Sequence, residues 1–214
     1  MTKAMIGIDL GGTNVKTAVV SREGEVMGKD SRPTDADQGL EAVLDKMVEG
    51  VDAALQAAKV RRADVLAAGI GAPGPMNWQT GVVFAPPNLP GWKDVPLARL
   101  MRERLQIPVY VDNDANVACY GEFWLGVGRN VDSMVLLTLG TGVGGGIVLM
   151  GQLLRGPDGT AGEIGHLCVK RDGRQCNCGA KGCLEQYASV SGMLKTARKR
   201  IEQGGLNTFL LEMC

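Results

Sequence analysis

Ile6-Gly7-Ile8-Asp9-Leu10-Gly11-Gly12-Thr13 is a buried strand running into a glycine turn, and Leu136-Leu137-Thr138-Leu139-Gly140-Thr141-Gly142 has the same form. Each is strand, Gly-Thr turn, strand, and each opens its half of the chain. The duplication implies two related α/β domains facing each other across a cleft. After the first turn, Val15–Val20 alternate as a second strand, and the Glu23-Gly24 turn leads to a third over residues 25–31. That is a hairpin meander rather than a strand-to-helix crossover.

Further out, Leu40, Val43, Leu44, Met47, Val48, Val51 and Leu55 fall at helical spacing between Asp37 and about Val60, with Asp37 as N-cap. Val65–Ile70 reads as a strand ending in the loop Gly71–Pro75, and a long Pro-, Asn- and Trp-containing loop runs to Trp92. Pro96 opens a helix through Leu105, and a strand over 108–111 gives way at Asn113-Asp114 to a helix over 115–125. Strands are expected at 133–139 and 147–150, joined by a turn of the glycines 140–146. A helix runs from Glu185 to about Gln203, with Gly204 just past its end. The domain boundary is expected near Asp114 or in the helix that follows, giving a small domain over 1–114 and part of a larger one over 115–214.

The 214 residues are 45% apolar, enough for a sizeable core. Lys and Arg number 23 against 23 Asp and Glu, which argues against a nucleic-acid or membrane surface as the main partner. The run Lys195, Arg198, Lys199, Arg200 is read as a solvated helix face. The first residues lack an export-signal pattern and no apolar run reaches bilayer length, so a cytoplasmic chain with reduced cysteines is expected.

In Asp9-Leu10-Gly11-Gly12-Thr13-Asn14 two bare glycines let backbone N–H groups converge on an anion. Thr13 adds a hydroxyl, Lys16 a charge, and Asp9 a carboxylate for a water-linked magnesium ion. The alternative is a plain hairpin turn. Gly140, Gly142 and Gly145 satisfy a dinucleotide fingerprint in form, but Ile147–Met150 is strand-like where that fingerprint needs a helix. Neither turn is a Walker loop, since no Gly-Lys-Ser/Thr follows. Two anion turns, with Gly140, Thr141 and Gly142 in the second, suit a nucleotide triphosphate held in the cleft.

Asp112-Asn113-Asp114 follows a strand, where a carboxylate facing a cleft can take a proton from a hydroxyl. The rival reading is helix N-capping, and Asp112 or Asn113 can cap while Asp114 does chemistry. Asn88-Leu89-Pro90-Gly91-Trp92 sets an amide beside an aromatic, as a sugar site would, although a turn with a packed Trp is the default reading. His166, the chain's single histidine, stands close to Cys176, Cys178 and Cys183. One imidazole and three thiolates complete a tetrahedral zinc set with no open position, hence a structural metal. Free thiols are the alternative. Cys168 is a rival ligand whose apolar neighbours suggest a strand, Cys119 and Cys214 look incidental, and Glu163 and Glu185 flank the cluster.

The DxGGT turn, the NDAN segment, the LGTGVGGG turn and the GEIGH…CNCGAKGCLE signature resemble the ROK family of sugar kinases and repressors, in order over almost the whole chain. The PNLPGW loop and CNCGAKGCLEQYAS look most like the bacterial glucokinases within it. The resemblance implies a two-domain, actin-like (ribonuclease-H-like) fold and transfer of the ATP γ-phosphoryl group to a hexose such as glucose. By similarity Asp114 deprotonates the sugar 6-hydroxyl, and Asn88, Asn113, Glu163, His166 and Glu185 contact the sugar hydroxyls. His166 would bind zinc through its other nitrogen, and the two Gly-Thr turns would hold phosphates with Asp9 near the magnesium. Family members suggest a dimer or tetramer. Two departures stand out: strand one begins by residue 4, leaving no room for the repressors' DNA-binding segment, and family kinases continue well past residue 214. The C-terminal domain is therefore expected to be incomplete. Rival readings are a non-catalytic sugar-binding or regulatory protein, and a kinase of N-acetylated hexosamines or fructose.

Overall fold

The computed structural model describes residues 3–86 and 88–204. Its first part runs Ala4–Leu10 (β1), Asn14–Val20 (β2), Val26–Pro33 (β3), Leu40–Ala58 (α1) and Val65–Ala72 (β4). Next come the short strands Met76–Asn77 (β5) and Val82–Val83 (β6), then Leu97–Leu105 (α2), Val109–Asn113 (β7) and Asp114–Trp124 (α3). The second part holds Met134–Leu139 (β8), Val143–Leu149 (β9), Gln152–Leu153 (β10), Glu185–Ala188 (α4) and Val190–Glu202 (α5).

A five-stranded sheet has the order β3-β2-β1-β4-β7. The meander β1–β3 is antiparallel, while β4 and β7 add in parallel. Ile6, Ile8 and Leu10 alternate inward along β1 and share one buried core with Val43, Leu44, Met47 and Val51 of α1, which packs on β2 and β3. The register sets Asp9 beside Gly71, and Gly71 beside Asp112. The carboxyl ends of three parallel strands thus line up, the position where open α/β sheets bind ligands. A second sheet, β10-β9-β8, repeats the strand–turn–strand form of β1 and β2.

Four expectations are corrected. The glycines 140–146 do not form one turn: β9 already begins at Val143, so Gly144, Gly145 and Gly146 lie in a strand. A Cβ on Gly146 would stand 2.4 Å from Cys119 Cβ, and one on Gly145 would stand 2.6 Å from the Gly162 carbonyl oxygen. Helix α3 and the 162–166 segment therefore need a bare strand to lie against. Asp37 does not cap α1; it sits in a 3-10 turn over Ala36–Gln38, and Gly39 at φ 92° enters the helix without a side-chain cap. The stretch before Trp92 is not all loop, because β5 and β6 pair within it. The helix after Glu185 breaks at Ser189, whose extended backbone lets its Oγ accept from the Gly192 N–H at 3.0 Å and cap α5.

Lys195, Arg198, Lys199 and Arg200 are exposed on α5, as a solvated face requires. Among the described residues no helix is long and apolar enough to cross a membrane. The segment Leu206–Cys214, with the cysteine read as incidental, lies outside them.

Candidate active site

Helix α3 starts where β7 ends because Asn113 caps it. Its side-chain oxygen accepts from the N–H groups of Ala115 and Asn116 at 3.0 and 3.3 Å. The cap fixes Asp114 as the first helical residue, its Oδ1 receiving the Ala115 N–H at 2.8 Å. A cleft of about 400 Å³ opens above it. Asn88, Asn113 and Asp114 line it from the first sheet's side, and Gly140–Gly142, Glu163, His166 and Glu185 from the other. The expected base, all five expected sugar contacts and the second Gly-Thr turn share one cavity.

The first turn stands at its rim. A Cβ on Gly12 would lie 2.8 Å from Asn88 Cβ, which puts the turn directly behind that amide. Thr34 pins it, its Oγ1 donating to the Gly11 carbonyl at 2.6 Å and its N–H to the Thr13 carbonyl at 2.9 Å. Gly11, Gly12 and Thr13 are outside both cavity linings, whereas Asp9 and Lys16, paired at 3.5 Å, line a second cavity of about 900 Å³. Asp114 belongs to both cavities and forms the wall between them. Its residue surface opens to the cleft, yet protein crowds around the carboxylate. That burial pushes its pKa above the usual carboxylate range, the Ala115 N–H opposes the rise, and the charge of Asp9 adds to it.

Ring and thiols converge beside this cleft. The side-chain nitrogen of His166 and the sulfurs of Cys176, Cys178 and Cys183 all lie within 4.8 Å of one another. Zinc–sulfur bonds of about 2.3 Å in a tetrahedron place two sulfurs about 3.8 Å apart, and a sulfur and a nitrogen slightly closer. Cys178 and Cys183 sulfurs are 3.7 Å apart, and Cys176 sulfur is 3.6 Å from His166 Nδ1. The four donors fit a zinc ion. The opposite ring nitrogen, Nε2, faces Glu163 at 3.8 Å, so the imidazole can serve metal and cleft at once. Burial works against a Cys176 thiolate, but the Cys178 N–H, the neighbouring thiols and His166 outweigh it and bring its pKa to about 7. Glu185 ties the cluster to the second turn: Oε2 accepts the Val143 N–H at 3.1 Å, and Oε1 is 4.0 Å from Cys176 sulfur.

Some site residues had no sequence signal. Arg155 lines the larger cavity, bonds Asp112 and stacks on Trp78 at 4.5 Å. Gln186 Nε2 points at Cys176 sulfur from 3.6 Å. Cys168, expected in a strand, makes a single bridge pair opposite Cys183.

The model of the ROK family matches residues 5–211. The chain belongs to the ROK family. It is 41% identical over 199 residues to a glucokinase of Halalkalibacterium halodurans, covering 92% of this chain and 60% of that one. It superposes on a ROK hexokinase from Thermus thermophilus with a TM-score of 0.83 at 37% identity, over 93% of this chain and 64% of that one. A ROK glucokinase from Streptomyces griseus, in complex with glucose and AMPPNP, gives a TM-score of 0.80 at 37% identity, over 94% and 62%. The fold is thus that of ROK sugar kinases, and the chain spans about 60% of the length of the curated glucokinases it matches.

Proposed function

We propose that the complete protein transfers the γ-phosphoryl group of ATP to the 6-hydroxyl of glucose or a close hexose. The observation that carries this reading is Asp114, which stands between the cleft of hydroxyl-binding side chains and the cavity holding Asp9. Asp114 takes the hydroxyl proton as the sugar oxygen attacks phosphorus, and the upward shift of its pKa makes its carboxylate a stronger base. Asn88, Asn113, Glu163, His166 and Glu185 orient the sugar, converting a bimolecular encounter into a positioned attack. The turns at Gly11–Thr13 and Gly140–Gly142 hold phosphate oxygens, with Lys16 adding charge. Magnesium, held near Asp9, would neutralise charge on the transferring group.

His166, Cys176, Cys178 and Cys183 would hold a structural zinc ion that fixes the segment presenting Glu163 and Glu185. We place the boundary between the two halves at Asp114, the start of the helix that packs on both sheets. The similarity to glucokinases supports glucose and ATP as substrates.

A coupled assay for glucose 6-phosphate, run beside calorimetry with glucose alone, tests the proposal. ATP-dependent product formation is expected. Tight glucose binding without turnover in the complete protein would replace the kinase reading with a sugar-sensing one.

A further inference from the structure

Cys168 is absent from the metal set, yet it is the residue directly opposite one of its members. Cys168 and Cys183 form an isolated antiparallel bridge. The flanking hydrogen bonds run from Val169 N–H to the Gly182 carbonyl and from Leu184 N–H to the Leu167 carbonyl, each 2.9 Å. The two cysteines therefore occupy a non-hydrogen-bonded pair, in which Cα atoms are about 4.5 Å apart and side chains share one face. That separation lies inside the roughly 4.4–6.8 Å range that a disulfide spans. Cys168 sulfur already rests over the neighbouring residue, where a Cβ on Gly182 would stand 3.2 Å from it. Its thiol is exposed, so it can rotate and meet an oxidant, whereas Cys183 is fully buried.

We propose that Cys168 and Cys183 are a redox modification site: a hydroperoxide joins them as a disulfide, which withdraws Cys183 from the zinc ligands. The Cys168 sulfur attacks the peroxide, forming S–O, breaking O–O and releasing an alcohol or water. The Cys183 sulfur then attacks that sulfenic acid, forming S–S and breaking S–O, and hydroxide leaves as water after taking a proton. Two thiols and one hydroperoxide thus yield one disulfide, one alcohol (or water) and one further water. A dithiol reverses the step. With three ligands left, the metal loosens, and so does the segment that carries His166 and Glu185 into the cleft.

The metal half of this inference rests on the zinc reading above, so the experiment separates the two. The complete protein, its zinc content measured first, is treated with hydrogen peroxide. Zinc release is followed with a chromogenic chelator, and the bond is located by peptide mapping without reduction. A Cys168–Cys183 cross-linked peptide is expected, formed in step with zinc release and reversed by dithiothreitol with added zinc. Cys168→Ser changes an exposed thiol and should slow release by roughly tenfold or more, since the accessible attacking sulfur is gone. Release at the parental rate from Cys168→Ser, or a bond mapped to Cys178–Cys183, overturns the proposal. Protein free of zinc from the outset overturns the metal half alone, and the peptide map still decides the disulfide.

Discussion

Arg155 Nε donates to Asp112 Oδ2 at 2.7 Å, while Oδ1 of the same carboxylate accepts from the Asn113 N–H at 2.8 Å and Asn116 Nδ2 at 3.2 Å. One carboxylate thus ties a loop of the second half to the turn that presents Asp114. The guanidinium also lies 4.5 Å over Trp78, on the segment between β5 and β6, so three stretches meet at one side chain. Arg155 is a positioning residue by this geometry. Arg155→Met is expected to lower stability by about 1–3 kcal/mol, the scale of a charge-assisted hydrogen bond whose partner is left behind. Loss of aim at Asp114 is expected to reduce kcat by up to about 100-fold with little change in KM for ATP. Steady-state kinetics beside thermal denaturation check both, and an unchanged kcat in a folded variant would remove the positioning role.

Protonated Asp114 cannot accept a hydroxyl proton. Because burial, and then Asp9, raise its pKa, the acid limb of the kcat/KM profile should lie above the ordinary carboxylate value of about 3.9. Asp114→Asn should abolish that limb and cost about 10²–10⁴ in rate while leaving glucose affinity near its parental value.

The same shift has a stability consequence of the opposite sense. The folded protein holds this proton more tightly than the unfolded chain, so ionisation costs stability as pH rises from the ordinary carboxylate range through the raised value. Asp114→Asn should therefore melt slightly higher than the parent at neutral pH, with the difference vanishing in acid. Cleft water keeps the gain below about 1 kcal/mol. Melting curves of both proteins at several pH values test the sign.

How much of this was legible depends on whether the partners are neighbours in sequence. The places of Asn113 as cap and of Asp114 at the cleft could be read because a cap residue and a strand end coincide within two positions. The cluster of His166, Cys176, Cys178 and Cys183 was legible because three of its donors lie within one short loop and the fourth just before it. Arg155 and Asp112 are 43 residues apart, and nothing local to either marks the pair. Gly144–Gly146 misled because bare residues suit turns and crowded strands alike, and only the approach of α3 and of the 162–166 segment decides between them. Ser189 caps α5, but the apolar spacing on either side of it runs on unbroken and reads as one helix.

Metal removal should reach the cleft through His166. Its Nδ1 faces Cys176 and its Nε2 faces Glu163, so if zinc holds the ring as proposed, its loss would free the ring to turn away from a bound sugar. Chelation, or Cys178→Ser, is expected to lower the melting temperature. It should also weaken glucose binding by about 1–3 kcal/mol, the cost of a lost polar contact. Calorimetry on apo and zinc-restored protein checks this, and identical affinities would uncouple the metal from the site.

Two glycines of the second half separate site chemistry from packing. A Cβ on Gly142 would stand 2.4 Å from Glu185 Oε2, the free end of a flexible side chain that can swing aside. Gly142→Ala should leave stability within about 1 kcal/mol of the parent. Glu185 would lose the Val143 N–H and its aim into the cleft, and glucose affinity should fall roughly tenfold, about the 1.4 kcal/mol of one polar contact. A Cβ on Gly146 would instead meet Cys119 Cβ at 2.4 Å and the Ala115 carbonyl oxygen at 2.9 Å, both fixed on α3. Neither can move without the helix, so Gly146→Ala should cost about 1–3 kcal/mol or more of stability. Denaturant unfolding and glucose calorimetry on the two variants should therefore give opposite patterns. Equal stability losses would mean that Glu185 is held as rigidly as the helix and cannot swing.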